Sequence, residues 1–371
     1  MTSSEGHAIA IVAAGVVSSV GASAASTCAA IGSALNDFRE TGFFDGALQP
    51  VLGAAVPSPL ISLSVQADAS TTGGLQRLAA MFVRAAKECA GNAGGIDPAQ
   101  TALLLIGPEL ARAGMTQEHL QTCFDALVGD LGQDFHAASR ITQIGTAGVA
   151  VALQYGQELL EDPARSGVDG LLIAAADSLL NADDINDALA KGYLLTQSNS
   201  DGFIPGEACA CVFVRRLDAV ATDTGPQAGA QPPRPAVLRV AGVGLASDAD
   251  NLDANQPARG RGLAHAITLA AHQARIGPET ISTRLSDGTA QSWFFEEATY
   301  AWARVLRVRS PDNYAFLLPA GQVGHVGVAM GPLLLALALD RARSGDALGS
   351  LSLVHLSSPG NARGAVVVQS C

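Results

Sequence analysis

The sequence is short of basic residues, of aromatic rings and of charge of either sign. Lys and Arg number 22 against 34 Asp and Glu, for a formal net charge of −12. No run of the chain clusters its cations, and phosphate contacts need such clusters, so nucleic acid is not an expected partner. Aromatic residues make up 5% and charged residues 15% of the chain, against 48% hydrophobic residues and 40 glycines. That balance rules against disorder and coiled coil and describes tightly packed helices and strands. A chain of 371 residues with this composition buries a large core, as two domains or one duplicated unit. There is no CxxC pair and no Cys–His ligand spacing, so no metal is expected. Cys28, Cys89, Cys123, Cys209, Cys211 and Cys371 read as reduced thiols of a cytoplasmic protein. Cys209 and Cys211 alternate along one strand and face the same side. The opening "MTSSEGHAIAIVAAGVVSSVG" lacks a basic n-region, and its apolar run is short and broken by Gly and Ser. Neither a signal peptide nor a membrane span is expected. No phosphate-cradling loop appears either: "GRGLAHA" (Gly260–Ala266) lacks the strand before it and the acid after it that a dinucleotide site requires. No cofactor is expected.

What the chain does have is an alternation of Val/Ile/Leu-rich segments with longer Ala-rich stretches, the pattern of an α/β fold with buried strands. Strands are expected at Ala8–Ala14, Ala102–Ile106, Gly170–Ala175, Ala208–Val214, Val237–Val243, Tyr314–Leu318, Ser350–Leu356 and Ala365–Gln369. Helices are expected at Ser23–Leu35, Gly73–Cys89, Gln117–Leu127, Gly145–Leu160, Ala182–Lys191, Gly260–Arg275, Ser292–Leu306 and Gly327–Ala342. The Pro/Gly/Gln-rich stretch Ala219–Pro235 reads as a linker. It divides the chain into an N-terminal half, 1–218, and a C-terminal half, 236–371. The halves share a faint repeat: "IVAAGVVSSVG" (Ile11–Gly21) and "LRVAGVGLASD" (Leu238–Asp248) each run through Ala-Gly-Val into a small-residue turn, which points to a duplicated α/β unit.

Five segments in order resemble the β-ketoacyl synthases of the thiolase superfamily. They are the opening "IVAAGVVSSVG", "GVDGLLIAAADSLL" (Gly167–Leu180), "SDGFIPGEACACVFVRRL" (Ser200–Leu217), "GHVGVAMGPLLLALAL" (Gly324–Leu339) and "SSPGNARGAVVVQ" (Ser357–Gln369). The third, with its Asp-Gly-Phe and Gly-Glu steps, is the most specific. Together they cover nearly the whole chain. The resemblance implies an α/β thiolase-like fold: duplicated halves in five layers (αβαβα), each half with a five-stranded mixed sheet. It also implies a homodimer, or a heterodimer with a ketosynthase-like protein, formed along a sheet edge.

The family's chemistry needs a cysteine thiolate at a strand-to-helix turn, where the helix dipole lowers its pKa. In this chain that turn lies in "SRITQIGTAGVAVALQYG" (Ser139–Gly156), which has no cysteine. One alignment places Gly145 at the nucleophile position and a shifted one places Gln143 there. Thr146 is the turn's only hydroxyl in reach and reads as a helix cap. Two histidines should donate to developing negative charge. The first falls on Asp287, in "DGT", a carboxylate that cannot donate unless protonated; the second survives as His325. The family's lysine falls on Ala320. Glu207 matches a family glutamate and is expected to hold backbone amides, and His355 reads as a satisfied core histidine. Phe203, Trp293, Phe294 and Phe295 are candidate fillers of the emptied pocket.

With one of four catalytic positions retained, the resemblance implies a degenerate ketosynthase-like protein whose work is binding. Thr146, His325 and Asp287 are its ligand-binding candidates. It could be a partner subunit similar to the chain-length factors, which replace the nucleophile, often by glutamine. It could be an adaptor for protein cargo, such as the thiolase-like accessories of bacterial secretion. Or it could be an acyltransferase with altered acyl-thioester chemistry, for which an acyl carrier protein would be the partner. The acidic balance counts against carrier docking, because carrier proteins are acidic too.

Overall fold

The computed structural model describes residues 8–58, 71–112, 114–222, 236–308 and 314–371. The N-terminal half runs β1 (Ile9–Ser18), α1 (Ala24–Gly32), the hairpin β2 (Arg39–Phe44) and β3 (Pro50–Gly53), and α2 (Thr71–Asn92). It continues through β4 (Thr101–Gly107), α3 (Gln117–Leu131), β5 (Arg140–Gln143), α4 (Gly148–Glu161), α5 (Pro163–Ser166), β6 (Gly170–Ser178), α6 (Ala182–Ala190), β7 (Glu207–Arg216) and α7 (Leu217–Thr222). The C-terminal half runs β8 (Leu238–Ser247), α8 (Arg261–Ala274), β9 (Thr283–Ser286), α9 (Ser292–Val305) and β10 (Ala315–Leu317). It closes with α10 (Ala320–Val323), α11 (Met330–Ser344), β11 (Leu351–Ser357) and β12 (Ala362–Ser370).

The two halves repeat one topology. In the first the strand order is β5-β4-β6-β7-β1, with parallel pairing for β5/β4 and β4/β6 and antiparallel pairing for β6/β7 and β7/β1. In the second it is β10-β9-β11-β12-β8, with the same sequence of senses. The two sheets expected from the resemblance are not separate: β1 and β8 pair antiparallel through Ala10↔Arg239 and Ile11↔Leu238, making ten strands continuous.

Three apolar clusters account for the layers. One joins α2 and α3 to the outer face of the N-terminal sheet, through residues such as Phe82, Leu120 and Leu172. Another joins α8 and α9 to the outer face of the C-terminal sheet. Between them, α4 and α11 lie against strands of both halves. A helix covered on every side has no polar stripe, and α11 is buried at every residue from Met330 to Leu339. β6 and β7 are likewise covered on both faces, which is why their sequences are continuous apolar runs instead of alternations.

The faint repeat has a packing cause. A Cβ at Gly15 would lie 2.0 Å from the Ala85 carbonyl oxygen of α2, and one at Gly242 would lie 2.1 Å from that of Ala270 in α8. The glycine of each Ala-Gly-Val is where an outer helix backbone touches its sheet, so no side chain fits. The strand alternation of Cys209 and Cys211 also has its expected consequence: both sit on the α2 face of β7, and burial pushes Cys211 well above the ordinary thiol range.

Sequence periodicity misses β5 and β9, four residues each, and the hairpin β2–β3, whose outer positions are exposed. The start of the stretch expected to be a linker is helical. Residues 219–222 belong to α7, and the rest of the stretch lies outside the described residues. Among the described residues, no helix is long and apolar enough to cross a membrane.

Candidate functional site

The resemblance places the nucleophile at the turn from β5 into α4. Gln143 ends β5 and pairs with Gly107 of β4. The chain then bends at Gly145, whose φ is +79°, a value glycine adopts freely and L-residues rarely do. A Cβ on Gly145 would lie 2.4 Å from Glu109 Oε1 and 2.5 Å from Ser358 Oγ. Two side chains therefore stand where a nucleophile would project. Burial raises the pKa of Glu109 above the usual carboxylate range, against the pull of its own amide, Arg112 and the Ser358 hydroxyl. Its Oε1 is buried with no hydrogen-bond partner among the described residues.

Thr146 does not cap α4, contrary to the sequence expectation. The residue before the helix is Ala147, and no side chain caps that end. The Thr146 hydroxyl donates instead to Asp287 Oδ2 at 2.5 Å. Asp287 follows β9, and the Ser357 amide donates to its two oxygens at 2.9 and 2.8 Å. Burial pushes Asp287 up to about 6, against the hydrogen bonds from Thr146 and Ser357. Behind it, Arg363 Nε donates to Glu297 Oε1 at 2.6 Å, both side chains being buried. Asp287 thus ties the turn before α4, the end of β9 and the end of β11 together.

His325 belongs to a separate cluster. Its amide donates to the Ile204 carbonyl at 2.7 Å and its carbonyl accepts from Gly206 at 2.9 Å. The "SDGFIPGE" segment is thereby clamped to the "GHVG" turn. Phe203 meets the imidazole edge-on with centroids 4.8 Å apart. Desolvation and the nearby Arg112 charge push His325 down to about 4, so the ring is neutral at neutral pH. Its Nδ1 has no partner among the described residues. A relay in which His325 stands between Thr146 and Asp287 is not formed, because those two bond directly.

The other expected positions have plain roles. Ala320 starts α10 and packs at the edge of the central cluster. Glu207 Oε1 accepts from the Val56 amide at 2.8 Å and from Arg77 at 2.7 Å, which holds the backbone entering β7. His355 is only half satisfied among the described residues: Nε2 lies 3.2 Å from Arg284 Nη2, and Nδ1 has no partner there. Of the four proposed fillers, Phe203 covers His325 and Phe294 is buried under the Asp-Gly-Thr turn, its Cβ 3.5 Å from where a Gly288 Cβ would stand. Phe295 is 42% exposed and fills nothing, and Trp293 lies over Arg363.

Sequence reasoning missed Glu109, Ser358 and Arg112. Arg112 is the pin of the His325 side: Nη1 donates to Asp177 at 2.7 Å, and Nε and Nη2 donate to Asp184 at 2.8 and 2.6 Å. The duplication carried a signal for Glu109, since it follows β4 as Asp287 follows the equivalent β9. Among the described residues, no group of three or more His, Cys, Asp or Glu side chains is placed to hold a metal.

No protein-family model matches the chain, and no curated protein matches its sequence. Solved structures do. The chain is similar to the AntDE:AntF assembly, a type II polyketide-synthase acyl carrier protein in complex with its ketosynthase bound to the hexaketide. That match has 14% identity and a TM-score of 0.75, covering 98% of this chain and 100% of that one. It is similar to the ishigamide ketosynthase/chain length factor at 17% identity, covering 98% and 99%, with a TM-score of 0.73. It is similar to a β-ketoacyl synthase from Burkholderia phymatum at 16% identity, covering 98% and 100%, with a TM-score of 0.73. The described chain has the ketosynthase-like fold of these structures.

Proposed function

We propose that this ketosynthase-fold chain is a non-catalytic binding protein that pairs with an active acyl-condensing enzyme. The observation that carries the proposal is the space over Gly145, filled by Glu109 and Ser358. Acyl transfer needs a nucleophile at that point and donors aimed at the developing oxyanion. Here no thiol is present, the Thr146 hydroxyl donates to a carboxylate, the Ser358 hydroxyl donates to the Ile144 carbonyl, and an acceptor, Asp287, stands where a donor is required. A partner subunit keeps the body of the enzyme and drops its chemistry, and full-length similarity to a ketosynthase/chain length factor supports that role. β5 ends the strand order, with Arg140 exposed, and supplies the sheet edge for a homodimer or heterodimer. The five cysteines buried as free thiols fit a reducing, cytoplasmic setting.

The net charge of −12 favours a second reading, an adaptor for another protein, because it opposes docking of an acidic carrier.

Incubation with malonyl-pantetheine thioesters, followed by mass spectrometry, tests the central claim. The expected result is no decarboxylation or condensation above the protein-free rate. Turnover that disappears in His325→Ala would overturn it and return the chain to the acyltransferases. Affinity capture from the native host then separates the readings: an active ketosynthase or a carrier protein supports the partner subunit, and a defined cargo without acyl ligand supports the adaptor.

A further inference from the structure

Among the described residues, the part-buried Arg112 bonds Asp177 and Asp184, and the fully buried Arg363 bonds Glu297, so both of these arginines have carboxylates to meet them. Arg284, on β9, is 4% exposed, and among the described residues no carboxylate pairs with it. Its guanidinium lies between the rings of Trp302 and Phe316, 4.5 and 4.6 Å from their centroids. Nη1 donates to the Tyr314 hydroxyl at 3.1 Å, and Nη2 donates to the Ala298 carbonyl at 3.3 Å. Nη2 also lies 3.2 Å from His355 Nε2. A guanidinium nitrogen only donates, so Nε2 accepts and the neutral imidazole carries its proton on Nδ1. Burial and the Arg284 charge both favour that neutral form.

Two buried donors then have no partner among the described residues, Arg284 Nε and His355 Nδ1. Contact with two ring faces reduces the cost of burying the cation but supplies no negative charge. Phe316 stacks on His355 with centroids 5.9 Å apart and is itself 36% exposed. It sits on β10, the terminal strand of the sheet. Phe316 is thus a part-exposed ring lying against both Arg284 and His355.

We propose that Arg284 and His355 form a binding site for a small carboxylate, entered at the β10 edge beneath Phe316. A carboxylate brings negative charge and acceptors for the unused N–H groups on Arg284 Nε and His355 Nδ1. The site faces away from Gly145, on the α9 side of the C-terminal sheet, so the inference is independent of the chain's catalytic state.

The test is the melting temperature of the whole protein against sodium acetate, with ionic strength held constant by a bulky sulfonate. The expected result is a saturable rise of about 2 °C at tenfold excess over the dissociation constant. In Arg284→Met the rise should vanish, while the melting temperature without acetate stays equal to or above that of the wild type. That baseline is expected because an uncompensated buried charge is replaced by a side chain of similar shape. Line broadening of carbon-13-labelled acetate by the wild type reports binding without any variant. A melting temperature indifferent to acetate, an equal rise with methanesulfonate, or a full response in Arg284→Met would each overturn the site.

Discussion

The two helices buried between the sheets start alike and are finished differently. Each follows a glycine of positive φ: Gly145 at +79° precedes α4, and Gly327 at +53° precedes α11. On each glycine a carboxylate presses, so that a Cβ would lie 2.4 Å from Glu109 Oε1 at the first and 1.9 Å from Asp177 Oδ2 at the second. At the Gly327 turn the charge is met, because Asp177 Oδ2 accepts from Arg112 at 2.7 Å and from the Val328 amide at 2.8 Å. At the Gly145 turn it is not. Among the described residues Glu109 Oε1, like Asp177 Oδ1, has no hydrogen-bond partner, but no arginine bonds Glu109, and Asp287 is served by one hydroxyl and one amide. The C-terminal turn is a structural clamp, whereas the N-terminal turn, where the fold's enzymes hold their nucleophile, keeps carboxyls whose pKa values burial has raised. This region is not packed with apolar side chains. Polar groups fill it, and that arrangement costs stability the clamp does not forgo.

The largest effect should come from breaking the clamp. Arg112→Met leaves Asp177 and Asp184 buried without a cation, and removal of one partner from a buried ion network costs about 3–5 kcal/mol. Denaturant unfolding at neutral pH is the measurement. A loss no greater than that caused by Asp287→Asn would mean that the two turns are electrostatically equivalent, and the contrast would fail.

The uncompensated turn should reveal itself through pH. Asp287 titrates near 6 in the folded protein against a reference of 3.8. Between those values the folded state holds a proton that the unfolded state has lost. Stability therefore falls as pH rises from about 4 to about 6, by up to about 3 kcal/mol, and is flat above that window. Asp287→Asn keeps a Thr146 and Ser357 contact without the charge. It should flatten the slope and stabilise the protein at pH 7. Some slope of the same sign should remain, since burial also raises Glu109 and Glu297. Asp184, lowered by the Arg112 hydrogen bond and charge against the cost of burial, acts with the opposite sign at more acid pH. An unchanged profile in Asp287→Asn would remove Asp287 from the account.

How much of this was legible in the sequence follows from what each residue depends on. The strands β6 and β7 and the helix α11 announce themselves because burial on all sides demands long apolar runs, and the glycine repeat is legible because each glycine answers a local contact with one helix. The lack of a cysteine in Ser139–Gly156 and the Asp287-Gly288-Thr289 turn are also legible, since they need only the order of residues in those segments. What stands over Gly145 is not. Glu109 comes from the end of β4 and Ser358 from the turn after β11, distant segments that the fold alone brings onto Gly145. Thr146 shows the same limit. A hydroxyl before a helix ordinarily bonds its own backbone, and only the presence of Asp287 across the layer redirects it.

The smallest effect is the one that most sharpens the comparison. Gly145→Ala places a methyl group in a left-handed turn, which by itself costs about 1–2 kcal/mol. The added carbon also meets Glu109 and Ser358, but the ends of flexible side chains can move, so the steric part should be modest. A double-mutant cycle with Glu109→Ala separates the two contributions. The backbone cost should persist in both backgrounds, and the remainder should shrink when Glu109 is truncated, by about 0.5–1 kcal/mol. Gly327→Ala with its clamp intact should show the reverse, a large steric share, because Asp177 is fixed by Arg112 and cannot swing aside. Equal coupling at the two turns would mean that Glu109 is held as firmly as Asp177. The N-terminal turn would then be a second clamp whose missing partner has yet to be found, and not the vacated seat of a nucleophile.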